Sequence, residues 1–328
     1  MYNAKMRQFF TILFGGLMAI VFGVVIAYGG AVGWRALKPE LAKIPSFSFL
    51  RAASIVVAPR ADGTSISGVS RTIRYTASEE EDFINAATQA LPSSSDKHVS
   101  GGAYLVKNLT RGDVTIEHNP DQLFPIASLA KLATAVVARK LIDPSERITV
   151  GKNVMAAYGN TANFKPGETF TAEDLLYPLL MVSSNDSAEA FALAYDRKKF
   201  ISAMNDWSQS IGAYRTYFAD PSGLSPDNVS TVNDLALILD WIRKNDPKII
   251  EITALKTKTI RSHTWVNPTH FLSWSYYLGG KNGYTTEANR TSAALFALGQ
   301  NKNVYAVIIL DSDNRDADTV KLLAKVRE

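Results

Sequence analysis

Ser128 and Lys131 are separated by Leu129 and Ala130, at the head of an apolar, alanine-rich stretch that runs to Leu141. On a helix, positions i and i+3 share a face, so the lysine amine comes within reach of the serine hydroxyl. A helix N-terminus and a low-dielectric cleft both disfavour a charged lysine, so its pKa falls toward neutrality. A neutral amine can then take the hydroxyl proton as Ser128 attacks an acyl carbon. The spacing alone is weak, because Ser94-Ser95-Asp96-Lys97 repeats it inside a polar, Ser-rich break. Ser128 differs in that Phe124-Pro125-Ile126-Ala127 leads straight into a helix that reads as buried.

Two further sets of residues carry chemistry. Ser183 and Asn185 lie between two helical stretches and offer a hydroxyl to a proton relay and an amide to a substrate backbone; the plain alternative is a helix cap. Lys281-Asn282-Gly283-Tyr284-Thr285 places a lysine at the end of a strand. Gly283 there leaves room for a ligand laid along the strand. Its plain alternative is a turn, since Asn-Gly is a strong hairpin signal.

The elements that must position these residues follow from the pattern. Residues 103–108 and 114–118 read as two strands around a turn at Thr110-Arg111-Gly112-Asp113. Ser128 opens a helix to about Leu141. Residues 142–250 read as a helical insertion, with helices at 171–181, 186–195, 198–211 and 232–244. Strands return at 276–281, 291–298 and 304–310, followed by a helix at 317–326. Strands at both ends with helices between predict an antiparallel sheet plus a helical part.

Composition narrows the chemistry. The chain has 328 residues, 46% hydrophobic and 20% charged, with a net charge of +4 and no long basic run, so nothing points to a nucleic-acid partner. It has no cysteine, which excludes a thiol nucleophile, a disulfide scaffold and a cysteine metal site. The four histidines, His98, His118, His263 and His270, are scattered without ligand spacing and read as surface or loop residues. A Ser-His-Asp triad and a metal site both lack a candidate, and no cofactor is expected.

The ordered set Ser128–Lys131, Ser183–Asn185 and Lys281–Gly283 resembles the serine penicillin-binding and β-lactamase superfamily, whose signatures are S-x-x-K, S-x-N and K-T-G in that order. Ser312-Asp313-Asn314 and Tyr158-Gly159-Asn160 mimic middle elements but stand at the wrong places in the chain. Within the superfamily, residues 101–328 resemble the low-molecular-mass D-alanyl-D-alanine carboxypeptidases of the S11 type. The likeness includes Lys165-Pro166-Gly167-Glu168, the run from Phe218 through Asp220-Pro221-Ser222-Gly223 to Leu224, and Asn314-Arg315-Asp316.

That resemblance implies an α/β (α+β) fold: a five-stranded antiparallel sheet flanked by helices, with an all-helical subdomain. It implies Ser128 as nucleophile, Lys131 as base, and the amides of Ser128 and Tyr284 as oxyanion hole. Ser183 and Lys281 would pass a proton to the leaving group, and Asn185 would hold the acyl side. Lys281, Asn282 and Arg315 would hold the terminal carboxylate, with Gly283, Tyr284 and Thr285 along the substrate. The expected substrate is a peptidoglycan stem peptide ending in D-Ala-D-Ala, with β-lactams as inhibitors. Asn282 departs from the pattern, which has Thr there.

Three alternatives stand beside this reading. A DD-endopeptidase would use the same residues. A β-lactamase needs a Glu in the loop after S-x-N, and residues 217–228 hold none. A non-catalytic wall-binding protein has only Asn282 in its favour.

Residues 8–34 carry no charge and are long enough to span a bilayer, so 1–34 is expected to be a transmembrane anchor. Residues 35–98 are expected to be a spacer and 99–328 the catalytic domain. Lys5 and Arg7 favour a cytoplasmic N-terminus, Arg35, Lys38 and Lys43 oppose it, and the implied substrate decides for an extracytoplasmic catalytic domain.

Overall fold

A computed structural model describes residues 98–327 apart from 157, 158 and 160. The expected anchor, the expected spacer up to residue 97 and the second Ser-x-x-Lys set at Ser94 lie outside the described residues. Among the described residues no helix is long and apolar enough to cross a membrane.

The chain opens with the hairpin β1 (Ala103–Asn108) and β2 (Val114–His118), bounded as the sequence predicts. Asn108 builds its turn by accepting from the amides of Thr110 and Arg111. A short strand β3 (Phe124–Pro125) leads to a 3-10 turn over Ala127–Ala130 and then to helix α1 (Lys131–Leu141). Ser128 was expected to open the α-helix; it sits in the 3-10 turn, and Lys131 is the first α-helical residue. The reason is local: Ala127 has φ +47°, a left-handed value that an α-helix does not accept.

The next segment departs from the helical expectation. β4 (Arg147–Val150) and β5 (Glu168–Thr171) form an antiparallel ribbon, so the insertion is not all-helical. Arg147–Val150 alternates exposed and buried, the mark of a half-buried strand. Helices α2 (Ala172–Met181), α3 (Asn185–Tyr195) and α4 (Arg197–Ser210) follow. Thr171 and Asp174 cap α2 reciprocally. After an irregular loop come β6 (Val229–Ser230), α5 (Val232–Asn245) and α6 (Pro247–Thr253). A second ribbon, β7 (Thr257–Ile260) with β8 (His263–Val266), precedes β9 (Tyr277–Thr285), β10 (Asn289–Leu298), β11 (Asn303–Ser312) and the final helix α7 (Arg315–Arg327). His263 is not a surface histidine: it is buried on β8, stacked on Trp265 and 3.1 Å from Glu168.

The main sheet has the order β2-β1-β11-β10-β9, antiparallel throughout. β10 and β11 are apolar on both faces because both are covered. Ala293, Leu295, Ile308 and Leu310 pack against the helices. Ala294, Phe296, Val307 and Ile309 pack on the other side with Leu322 and Leu323 of α7. Helix α1 is buried from Lys131 to Ala138 and touches α2, α3 and α4. Burying Leu132, Val136 and Val137 there contributes roughly 1.5–3 kcal/mol each. Lys131 in the same helix is fully buried, and burial of an ammonium is costly. β9 is an outer strand, so one of its edges is left for another partner.

Candidate active site

Ser128 lies between two stretches of backbone that could not be closer. A Cβ at Gly223 would fall 1.9 Å from Ala127 O, and Gly223 has φ +84°. A Cβ at Gly283 would fall 2.9 Å from Ser128 N and 2.5 Å from Thr291 Oγ1. Glycine at both positions lets β9 and the 220–225 loop close on the serine. Lys281 was expected to end its strand. Instead β9 continues to Thr285, because Gly283 permits this approach and the hairpin turn falls later.

Lys131 Nζ sits 2.9 Å from Ser128 Oγ, 2.7 Å from Asn185 Oδ1 and 2.5 Å from Ser222 O. Burial, helped by the charge of Lys281 and opposed by that of Asp220, pushes its pKa well below the ordinary lysine value. The last two oxygens only accept, so a neutral amine must spend its two N–H bonds on them. Its lone pair then faces the Ser128 hydroxyl, the one neighbour of the three that can donate. A serine hydroxyl so placed can give its proton to the amine, the geometry an activated nucleophile needs.

Ser183 and Asn185 occupy the joint between α2 and α3. The cap of α3 is Ser184, whose Oγ accepts from Ser187 N at 3.0 Å. Capping by the middle residue turns the two flanking ones to the cleft. Ser183 has φ +60°, a strained value for a non-glycine residue. Lys281 Nζ donates to its Oγ at 2.9 Å and to Asn282 O at 2.8 Å. Burial and the nearby Arg315 charge lower the Lys281 pKa to about 7.

The outer edge of β9 faces Ser128. Gly280 N donates outward to Thr253 Oγ1 at 2.9 Å. The two-residue period of a strand turns the amides of Asn282 and Tyr284 to the same side. Arg315, the first residue of α7, donates from Nη1 to Gly283 O at 2.9 Å. Its Nε is buried without a hydrogen-bond partner among the described residues and lies 3.6 Å from Asp316 Oδ1. Asp316 also meets His270 Nδ1 at 2.7 Å. These residues line one cleft of about 840 Å³.

A model of the D-alanyl-D-alanine carboxypeptidase family, peptidase S11, matches residues 88–313. The chain belongs to that family. It is therefore a serine peptidase of the S11 type, with the mixed α/β fold and antiparallel sheet of that group. The D-alanyl-D-alanine endopeptidase of Escherichia coli (strain K12) is 28% identical over 244 residues, covering 69% of this chain and 76% of that protein. The crystal structure of a D-alanyl-D-alanine carboxypeptidase from Mycobacterium tuberculosis H37Rv is 26% identical, with TM-score 0.65 over 72% of this chain and 94% of that one. Penicillin-binding protein D2 from Listeria monocytogenes, in its cefotaxime-bound form, is 26% identical, with TM-score 0.64 over 70% and 98%.

The S11 chain brings together every site residue the sequence singles out. Ser128, Ser183, Asn185, Lys281, Asn282, Gly283, Tyr284, Thr285 and Arg315 line the cleft, and Lys131 lies just beneath Ser128. Thr285 does so as a turn residue: its hydroxyl accepts from Ala288 N. Tyr284 stands 61% exposed at the rim, with the Arg290 guanidinium over its ring. The two mimics differ in place. Ser312 is the hydroxyl that Asn314 N and Asp318 hold at the start of α7, whereas Gly159 lines the cleft beside Asn185.

Sequence reasoning gave no role to Ser222, Gly223, Asp220, Thr161 or His270. Asp220-Pro221-Ser222-Gly223 did carry a signal, a turn-forming string with an Asx side chain, but not what the turn would touch.

Proposed function

We propose that this chain is a D-alanyl-D-alanine carboxypeptidase that trims peptidoglycan stem peptides through an acyl-enzyme on Ser128. The observation that carries this is the pairing of Ser128 Oγ with a buried Lys131 whose other two partners only accept. Ser128 Oγ attacks the carbonyl carbon between the two D-alanines as its proton passes to Lys131 Nζ. The amides of Ser128 and Tyr284 stabilise the tetrahedral oxyanion. The C–N bond then breaks, and the leaving amine takes a proton delivered through Ser183 and Lys281. Asn185 holds the acyl side; Lys281, Asn282 and Arg315 hold the terminal carboxylate. Water hydrolyses the ester and releases the shortened peptide. β-Lactams acylate the same serine.

Its supports are the ordered motifs, the cleft that gathers them, and family membership. Incubation of the purified protein with a stem pentapeptide tests it: D-alanine is released by wild type and not by Ser128→Ala. Equal release by both would remove Ser128 from the reaction.

A second reading, cleavage of cross-links, is favoured by the similarity to the D-alanyl-D-alanine endopeptidase of Escherichia coli (strain K12). Dimeric cross-linked muropeptides distinguish the two, since a pure carboxypeptidase leaves them intact.

We further propose that residues 8–34 anchor the chain in the membrane, that 35–98 act as a spacer, and that residues 99–328 work outside the cytoplasm. The uncharged apolar run supports this. Alkaline phosphatase fused after residue 328 should be active; an inactive, stable fusion would reverse the topology.

A further inference from the structure

Asp220 lies behind the catalytic pair, buried and away from the cleft wall. Its Oδ1 accepts from Ser222 N at 2.6 Å, Ser222 Oγ at 2.7 Å and Gly223 N at 2.8 Å. Its Oδ2 accepts from Ser225 N and Asn228 Nδ2, both at 2.7 Å. A carboxylate offers about four lone-pair sites, so this one is saturated. The loop it gathers is also stapled from below, because Thr134 Oγ1 donates to Pro221 O at 2.5 Å. Thr134 stands one turn after Lys131 on α1. The gathered backbone does two things at the site: Ser222 O receives Lys131 Nζ, and Gly223 packs against Ala127 and Ser128 N.

We propose that Asp220 is a positioning residue for the Ser128–Lys131 pair, folding residues 222–225 so that Ser222 O fixes Lys131 Nζ and Gly223 fixes the Ser128 backbone. This rests on the reading of Ser128 as nucleophile and Lys131 as base. An asparagine cannot replace the carboxylate, because its NH₂ would face two N–H donors on the Oδ2 side. A glutamate keeps the charge but pushes the loop away by a methylene.

The charge matters as well as the shape. Burial opposes ionisation of Asp220, but the bonds from Ser222, Ser225 and Asn228 hold its carboxyl below the usual range. The charged groups acting on Lys131 are Lys281 from β9, which disfavours its ammonium form, and Asp220, which favours it. From α3 the contact is the uncharged Asn185. Removing the Asp220 charge therefore lowers the Lys131 pKa further, and the acid limb of acylation moves to lower pH.

The test is the rate of acylation by a fluorescent penicillin across pH, on full-length wild type, Asp220→Asn and Asp220→Glu, each checked for folding by thermal melt. Both variants are expected to slow acylation by about 10²-fold, as misplacement near 1 Å does. Only Asp220→Asn should shift the acid limb downward. Two folded variants that acylate at the wild-type rate would overturn the proposal, and so would a slowed Asp220→Asn with an unmoved limb. If Asp220→Asn does not fold, Asp220→Glu decides alone, an unchanged rate overturning it. Absence of labelling on wild type instead overturns the Ser128 reading, and this proposal with it.

Discussion

Lys131 Nζ lies 2.9 Å from Ser128 Oγ, and of its three described partners only this hydroxyl has a proton to give. The three oxygens thus fix the place of the amine, while burial and the Lys281 charge lower its pKa. Lys131→Ala should lower acylation by about 10²–10⁴-fold, the usual worth of a positioned base. Lys131→Arg should be no better, because a guanidinium does not deprotonate. Stopped-flow acylation by a chromogenic β-lactam measures both. A Lys131→Arg enzyme near wild-type rate would remove the lysine from proton transfer.

Lys281 and Arg315 are coupled through charge. Lys281 titrates near pH 7 because it is buried and Arg315 is close. Its proposed role in protonating the leaving amine and holding a carboxylate needs the ammonium form, so activity should fall as pH rises past 7. Arg315→Ala removes a like charge, which raises the Lys281 pKa and moves that basic limb to higher pH. The same variant should raise KM for stem peptides. Steady-state D-alanine release between pH 5 and 10 reads both effects, and an unmoved basic limb would count against the coupling.

Asn282 stands where the family pattern has Thr, on the outer edge of β9. Asn282→Ala should raise KM with little change in kcat, by up to about tenfold for one lost hydrogen bond of about 0.5–1.5 kcal/mol. Asn282→Thr should leave activity intact while changing the ratio of peptide to penicillin turnover, since the donor is shorter. Equal kinetics for all three residues would remove position 282 from carboxylate recognition.

Asp186 is fully buried in the first turn of α3, and neither of its carboxyl oxygens has a partner among the described residues. Burial raises its pKa above the ordinary 3.8. Between 3.8 and that raised value the folded state holds a proton that the unfolded chain has lost. Stability therefore falls as pH rises through this window and stays lower above it. Asp186→Asn should raise Tm at pH 7.5 and not at pH 3.5. A lower Tm for the variant at pH 7.5 would show that the carboxylate is stabilised in the fold.

The chemistry was legible where it lies in one short stretch. Ser128 and Lys131, Ser183 and Asn185, and Lys281 with Asn282 each sit within four residues, and chain order tied them together. The sheet was legible because its strands are apolar or alternating over several residues. Less could be read where a residue acts through backbone. Ser184 rather than Ser183 caps α3, and neighbouring serines do not say which one turns inward. The 3-10 turn at Ser128 goes with the left-handed Ala127, against whose carbonyl Gly223 packs from a distant loop. β4 pairs with a strand that follows a long connection, so its four residues were absorbed into a helical insertion. Asp220 left only a turn signal, since the target of the turn, Lys131, is set by tertiary contact.

The most direct measurement is mass spectrometry of the intact protein and its proteolytic peptides after brief exposure to benzylpenicillin. One covalent penicilloyl group is expected on the wild-type chain, carried by Ser128, absent in Ser128→Ala and strongly slowed in Lys131→Ala. A stable adduct on another residue, or one that persists in Ser128→Ala, would contradict Ser128 as the nucleophile.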